Sequence, residues 1–319
     1  MSSRARKIAS RTSRVALLAV FAAACDRSKG GPPTDSATTV ATPTTVPSDS
    51  DELVASGWNV DAGPVIVLPA PDESWVVGAL IRPEASELTL SDTTGLSASL
   101  GSAMVELFSR SGKVGLARLS VNAAPKVDSG CTAWPVARLA FDGSATVVPW
   151  NAAFIAGRVS AVPLDSIEGL SSRDSTRLAT DLTRLASGLP NDTTATFRGL
   201  PYVVLRAWRT RGLDTGFVVA TLARRINQED SPQEERVVMV VDQRGPDARK
   251  WVVTWHERAA GREEELVVAE PLLAFKTGNS SDVHLLFGRD DGVAWGAAVL
   301  TRSAAGWQVQ WESAVAGCD

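Results

Sequence analysis

Cysteine and histidine are scarce in this chain, and their scarcity argues against a metal centre. The 319 residues include three cysteines and two histidines. Structural zinc sites place four ligands at short characteristic spacings, whereas Cys131 and Cys318 lie far apart with only His256 and His284 to join them. The sequence therefore indicates no metal site and no metal cofactor.

Familiar catalytic and cofactor motifs are also missing. No G-x-S-x-G segment offers an activated serine, and the Gly112-Lys113 pair lacks the earlier glycine and the following hydroxyl of a phosphate loop. We interpret this pair as a hairpin turn. His256 and His284 fall in strand-like runs, so we interpret both as half-exposed strand residues. The sequence gives no catalytic residue and no organic cofactor, and it leans towards a protein that is not an enzyme.

Long apolar runs are absent as well. The longest near the N-terminus, residues 15–24, rises only about half the thickness of the bilayer's hydrocarbon core. The fourteen residues before it carry five basic side chains and no acidic one. A basic segment followed by a short apolar segment predicts a cleavable export signal over residues 1–24.

The end of this signal, Phe21-Ala22-Ala23-Ala24-Cys25, resembles the lipobox of bacterial lipoproteins, although that family usually has Leu where Ala22 stands. The resemblance covers the signal and its cleavage site only. It implies that Cys25 is acylated and tethers the chain outside the cytoplasm, at the inner membrane, the outer membrane or the cell surface. The alternative is ordinary secretion after cleavage at the A-x-A-like site, with Cys25 left as a thiol.

Residues 25–52 consist mainly of threonine, proline, serine, glycine and aspartate. A segment with so little apolar surface predicts a disordered stalk. The net charge of the whole chain is −4, and removal of the basic signal makes the mature protein more acidic. We therefore do not expect nucleic acid as a partner.

Two cysteines are left once Cys25 is assigned to the anchor. In an oxidising compartment Cys131 and Cys318 can form a single intramolecular disulfide, and we predict that bond. The alternative is a pair of unlinked thiols. A bond at Cys318 would hold a chain end that otherwise frays.

Residues 53–319 are predicted to form a mainly β or α+β fold, as one body or as two subdomains over 53–170 and 190–319. Short apolar or alternating runs separated by turns predict a C-terminal antiparallel meander over 236–312. In its last strand, Trp307, Val309 and Trp311 alternate with polar residues and should share one buried face. Pro271 should bulge or end its strand.

One helix is predicted over 171–188, capped by Ser171 or Ser172 and ended at Gly188. Its leucines, Leu178, Leu182 and Leu185, have helical spacing. Elsewhere the runs are strand-like. Aspartate-glycine turns recur at nearly regular intervals and keep a β-propeller as the alternative fold.

Ten tryptophans against a single tyrosine are the most unusual feature of the composition. Tryptophan can fill a core, stack on sugars or anchor a protein partner. Together with the tether and the missing motifs, this favours a non-catalytic binding or assembly subunit of an envelope complex, with a protein partner. The alternatives are an extracytoplasmic glycan hydrolase acting through an acid pair, and a glycan-binding module.

Overall fold

The structure is a computed structural model, and it describes most of the chain after residue 57. The export signal, Cys25 and the stalk lie outside the described residues, which all belong to one compact unit, Val46–Asp319. The described residues are 58–70, 75–83, 100–123, 131–141, 148–190, 195–210, 213, 216–226, 232–244, 250–263, 266, 268–278, 280–290 and 294–318.

The described part of the chain contains eighteen strands and one α-helix, which confirms the predicted mainly β fold with antiparallel sheets. No helix in this part is long and apolar enough to cross a membrane. The helix, α1, spans Ser172–Ser187. The strands are β1 Ile66–Pro69, β2 Val77–Ile81, β3 Met104–Ser109, β4 Gly112–Ala123, β5 Cys131–Thr132, β6 Val136–Ala140, β7 Ala152–Ile155, β8 Val159–Val162, β9 Leu164–Ser166, β10 Val203–Thr210, β11 Phe217–Ile226, β12 Gln233–Arg244, β13 Lys250–Arg262, β14 Val268–Thr277, β15 His284–Asp290, β16 Ala294–Arg302, β17 Trp307–Glu312 and β18 Ala316–Cys318.

These strands form a closed barrel and two open sheets. The barrel has the order β1-β2-β6-β4-β3-β7, and a five-stranded sheet has the order β13-β12-β11-β10-β9. A seven-stranded sheet has the order β5-β18-β16-β15-β14-β8, with β17 paired to β16. The predicted meander is present as consecutive antiparallel strands but is divided, with β12 and β13 in the five-stranded sheet and β14 to β17 in the seven-stranded one. The described strands therefore do not form propeller blades.

The central strands of the seven-stranded sheet, β14 to β16, are buried on both faces. On one face Phe275 packs against Phe154 of the barrel, with ring centroids 5.1 Å apart. On the other face Trp307 packs edge-to-face on Phe217 of the five-stranded sheet at 4.9 Å. A sheet without a wet face has no need for polar alternation, which explains the continuous apolar runs of β14 to β16.

Helix α1 covers the outer face of the five-stranded sheet. The Ser171 side chain accepts a hydrogen bond from the backbone N–H of Asp174 and caps the helix, as predicted. Leu178 and Leu182 are buried with sheet residues such as Met239, and Leu185 is half-buried beside them. The helix prediction is confirmed, and the molecule has four layers: α1, the five-stranded sheet, the seven-stranded sheet and the barrel.

The strict alternation predicted for β17 is wrong. Trp311 pairs with Val299 and Val309 pairs with Leu300, so Gln310 is an extra residue that forms a β-bulge. The bulge reverses the side-chain order: Trp307 packs towards the five-stranded sheet, Trp311 packs towards the barrel, and Val309 is 41% exposed. The bulge predicted at Pro271 is present, because the register shifts between Pro271 and Leu273.

Loss of side-chain volume in the seven-stranded sheet should destabilise the whole molecule. Leu286 is fully buried between that sheet and the barrel. We expect Leu286→Ala to lower the free energy of unfolding by about 2–5 kcal/mol, through lost burial and the cavity left behind. Denaturant unfolding measures the change.

The matched control is Leu116→Ala, because Leu116 lies on a barrel strand and is 45% exposed. We expect that substitution to change stability by no more than about 0.5 kcal/mol. If both variants lost the same free energy of unfolding, the burial of the seven-stranded sheet on both faces would be contradicted.

Candidate functional site

A cavity of about 690 Å³ lies where the barrel, the five-stranded sheet and the seven-stranded sheet meet. The barrel side contributes residues at the ends of β1, β2 and β7, and the two sheets contribute β10 to β12 and β14 to β16. Four of its lining residues are tryptophans, one from each of four separate segments of the chain: Trp75, Trp150, Trp208 and Trp295.

The four tryptophans have different roles in the wall. Trp150 is fully buried, and its indole Nε1 donates a 3.0 Å hydrogen bond to the Trp75 carbonyl. The ring of Trp208 is nearly buried and is covered by the Arg110 guanidinium, 4.7 Å from the ring centroid. Trp75 is 38% exposed and Trp295 is half-buried. The last two therefore offer the accessible aromatic surface of the cavity.

Two β-bulges shape this cavity. In β10, Val204 and Arg206 pair with consecutive residues of β11, so Leu205 is an extra residue. The register shift after Pro271 makes Leu272 the extra residue of β14 in the same way. A bulge re-aims the side chain of its extra residue, and both Leu205 and Leu272 line the cavity.

The Glu270 carboxylate holds two arginines at the cavity. The Arg110 Nη2 and the Arg206 Nη1 lie 2.5 Å and 3.2 Å from its Oε1. Arg110 also donates from Nε to the Pro271 carbonyl at 2.6 Å. Burial lowers the pKa of Arg110, and the Glu270 charge opposes that change. Arg110 thus contacts both the Glu270 carboxylate and the next backbone carbonyl, which fixes the position of Glu270 at the cavity wall.

The hairpin turn between β3 and β4 delivers Arg110 to this site. Ser109 pairs with Gly112, so Arg110 and Ser111 are the two turn residues, and Gly112 has a φ of +137°. The predicted hairpin is present, but Gly112 and Lys113 begin β4 directly after the turn instead of forming it. The sequence prediction did not include the contact of the adjacent Arg110 with Glu270.

Two more arginines line the cavity with Arg206, and both are also paired with carboxylates. Arg289 contacts Glu257 at 2.6 Å through Nη2 and Glu312 at 3.0 Å through Nη1. Arg236 donates from Nε to Glu234. Among the described residues, each arginine that lines the cavity thus has a carboxylate partner.

Glu270 is the only aspartate or glutamate among the described lining residues. A glycoside hydrolase of the common kinds needs two carboxyl groups about 5–9 Å apart on either side of the scissile bond. The described wall of the cavity supplies one, and that one is engaged by two guanidinium groups.

Neither histidine lines the cavity. His256 is exposed on β13, the outer strand of the five-stranded sheet, and desolvation and then the charge of Arg258 lower its pKa. The prediction that His284 is half-exposed is wrong, since it is buried against Phe275, with Nδ1 2.8 Å from the Thr301 hydroxyl. Burial also lowers the pKa of His284.

The two cysteines predicted to form a disulfide lie on adjacent strands. β5 and β18 pair antiparallel, and their register sets Cys131 directly opposite Cys318. This pairing joins a short strand that follows β4 to the C-terminal strand, at the edge of the seven-stranded sheet.

Comparisons with protein-family models, curated proteins and solved structures found no match. Within the described ranges, no group of three or more histidine, cysteine, aspartate or glutamate side chains is arranged to hold a metal ion.

A separate buried ion-pair cluster contains the single tyrosine of the chain. The Tyr202 hydroxyl donates to Glu235 Oε2 at 2.7 Å, and Arg224 donates to the same carboxylate oxygen. Arg224 also lies over the Tyr202 ring, 4.8 Å from its centroid. Desolvation, followed by the hydrogen bond to Glu235, raises the pKa of Tyr202 to about 12.

Because Tyr202 is the only tyrosine, the rise in phenolate absorbance with pH reports on this residue without a contribution from another tyrosine. We expect the Tyr202 hydroxyl to ionise near pH 12 in the folded protein and at about pH 10 in denaturant. Because the pKa of Tyr202 is higher in the folded than in the unfolded protein, its buried hydroxyl contributes to folding stability. That contribution is complete below about pH 10 and is lost as the pH rises towards 12. A phenolate transition near pH 10 in protein that is still folded would contradict the buried contact with Glu235.

Proposed function

We propose that this chain is a membrane-tethered extracytoplasmic lipoprotein that acts as a non-catalytic binding or accessory subunit of an envelope or membrane complex. The observation that carries the proposal is the cavity at the junction of the three sheets, lined by four tryptophans and by a single described carboxylate. This lining is suited to holding a ligand, and its described residues include no acid pair for hydrolysis.

The size and construction of the cavity support a binding role. Ligand pockets commonly measure about 300–1,000 Å³ and combine apolar walls with a few fixed polar groups. Here Glu270 is fixed by Arg110 and Arg206, while Trp150 is fixed by its hydrogen bond to the Trp75 carbonyl. Groups that are already held in position lose little freedom when a ligand binds, which favours affinity.

The tether is proposed from the lipobox-like segment that ends at Cys25. In this proposal several acyl chains hold the mature N-terminus in a membrane, and the stalk at 25–52 separates that membrane from the folded region. The partner is a component of the same envelope.

We also propose that Cys131 and Cys318 form a disulfide. Directly opposed residues of antiparallel strands have Cα atoms about 4.5–5.5 Å apart, within the range of about 4.4–6.8 Å that a disulfide spans. The register of β5 and β18 supports this pairing.

Extraction of native membranes with a mild detergent tests the tether and the binding role together. We expect the full-length protein, purified through a C-terminal tag, to carry a di- or triacylated Cys25. It should also retain a second envelope component in a fixed ratio to itself. Intact mass under non-reducing conditions should also be lower by two hydrogens, as a single disulfide requires.

Two leucine variants show whether the cavity holds this component. Leu205→Arg adds a bulky charge to the cavity wall, where Leu205 is 37% exposed, and should release the component. Leu116→Arg places the same charge on an exposed barrel strand and should leave the component bound. An unmodified chain, a chain recovered alone, or equal retention by the two variants would count against the proposal.

A further inference from the structure

We propose that the ligand of this cavity is a neutral oligosaccharide segment. This inference rests on the proposed binding function and names the chemical class that the cavity accepts. Three features of the described wall carry it: the balance of charge, the neighbouring donors and acceptors, and the accessible tryptophan rings.

The charge balance argues against an anionic ligand. The three arginines of the wall, Arg206, Arg236 and Arg289, each contact at least one glutamate. An anion at the cavity would compete with these glutamates, because their charges already compensate the guanidinium groups. The site therefore lacks a free cation among its described residues and has no electrostatic preference for an acidic ligand.

The polar groups that remain are suited to hydroxyls. Each hydroxyl group both donates and accepts hydrogen bonds, and the wall offers both kinds of partner close together. Glu270 supplies an acceptor beside the donors of Arg206, while Asn151 and Thr221 can act in either sense. A purely apolar ligand, such as an acyl chain, would cover these groups without satisfying them and would lose free energy for each one.

The tryptophans provide the apolar part of the recognition. The indole faces of Trp75 and Trp295 can pack against the C–H faces of sugar rings, while the ring hydroxyls reach the polar groups. A volume of about 690 Å³ matches pockets for compact ligands rather than enclosure of a whole polymer. A short oligosaccharide combines these requirements of size, neutral charge and mixed polarity.

Trp75 adds a constraint at the rim. Its φ of +58° lies in the left-handed region, which is unfavourable for a bulky residue and persists only where the surroundings impose it. The hydrogen bond from the Trp150 indole to the Trp75 carbonyl is one such constraint. The aromatic rim is thus held in place before a ligand arrives.

Titration of the purified full-length mature protein with trisaccharides tests this inference. The neutral probes are maltotriose, cellotriose and triacetylchitotriose, and the acidic control is trigalacturonic acid. We expect at least one neutral probe to bind saturably by calorimetry and to change the tryptophan fluorescence, with tighter binding than the acidic control shows.

Variants locate the binding to this cavity. Trp295→Leu should weaken the affinity for the trisaccharide about tenfold or more, which corresponds to about 1.4 kcal/mol of binding free energy. The matched control is Trp251→Leu, which removes a half-buried tryptophan packed beneath α1 and should bind as the wild type does. Should Trp295→Leu fail to fold, Asn151→Ala reports on the same cavity, and we expect it to weaken binding about tenfold.

The outcomes separate this inference from the function on which it rests. If no neutral trisaccharide binds, if the acidic control binds more tightly, or if Trp295→Leu and Asn151→Ala both bind normally, the saccharide inference is wrong. The binding function would still stand if a native component is lost from Leu205→Arg alone. Conversely, cleavage of a bound trisaccharide, detected by mass, would support the saccharide inference and overturn the non-catalytic function.

Discussion

Burial of the seven-stranded sheet on both faces is the constraint on which the rest of the structure depends. The barrel needs Phe275 and Leu286 to complete its packing on one face, and the five-stranded sheet needs Leu285 and Trp307 on the other. Neither outer layer could cover its apolar surface without the sheet between them. Twisted sheets and closed barrels do not pack flush along their edges, and the cavity lies where these three layers meet.

The chemistry of the cavity follows from the layers around it. Each layer contributes at least one tryptophan, while carboxylates placed beside the wall hold the arginines in fixed positions. The bulges at Leu205 and Leu272 turn two more side chains into the same space. A site built from three layers can keep its shape without a ligand, which suits a protein whose proposed role is to bind rather than to react.

Local features could be predicted from the sequence because their causes lie within a few residues. The helix was specified by the Ser171 cap and by leucines at helical spacing, and the bulge after Pro271 by the missing backbone donor. The faces of Trp307 and Trp311 could not be predicted, since one extra residue, Gln310, reverses every later side chain of the strand. The burial of His284 depends on the neighbouring layers and was not predictable either.

The cavity itself had only a compositional signal, the excess of tryptophan. Trp75, Trp150, Trp208 and Trp295 belong to different segments, and no spacing within the sequence brings them together. The same is true of Arg110 and Glu270, which meet because a barrel hairpin lies beside the edge of the seven-stranded sheet. Such contacts are set by how the layers stack, which no local pattern encodes.

Hydrogen exchange of the full-length protein, with its native component bound and after that component is removed, tests the central claim most directly. If the cavity is the binding site, the bound component should slow exchange at the amides of β10, β14 and β16 that border it. It should leave α1 and β13 unchanged, because neither element lines the cavity. Slower exchange confined to α1 or β13, with no change around the cavity, would contradict the account.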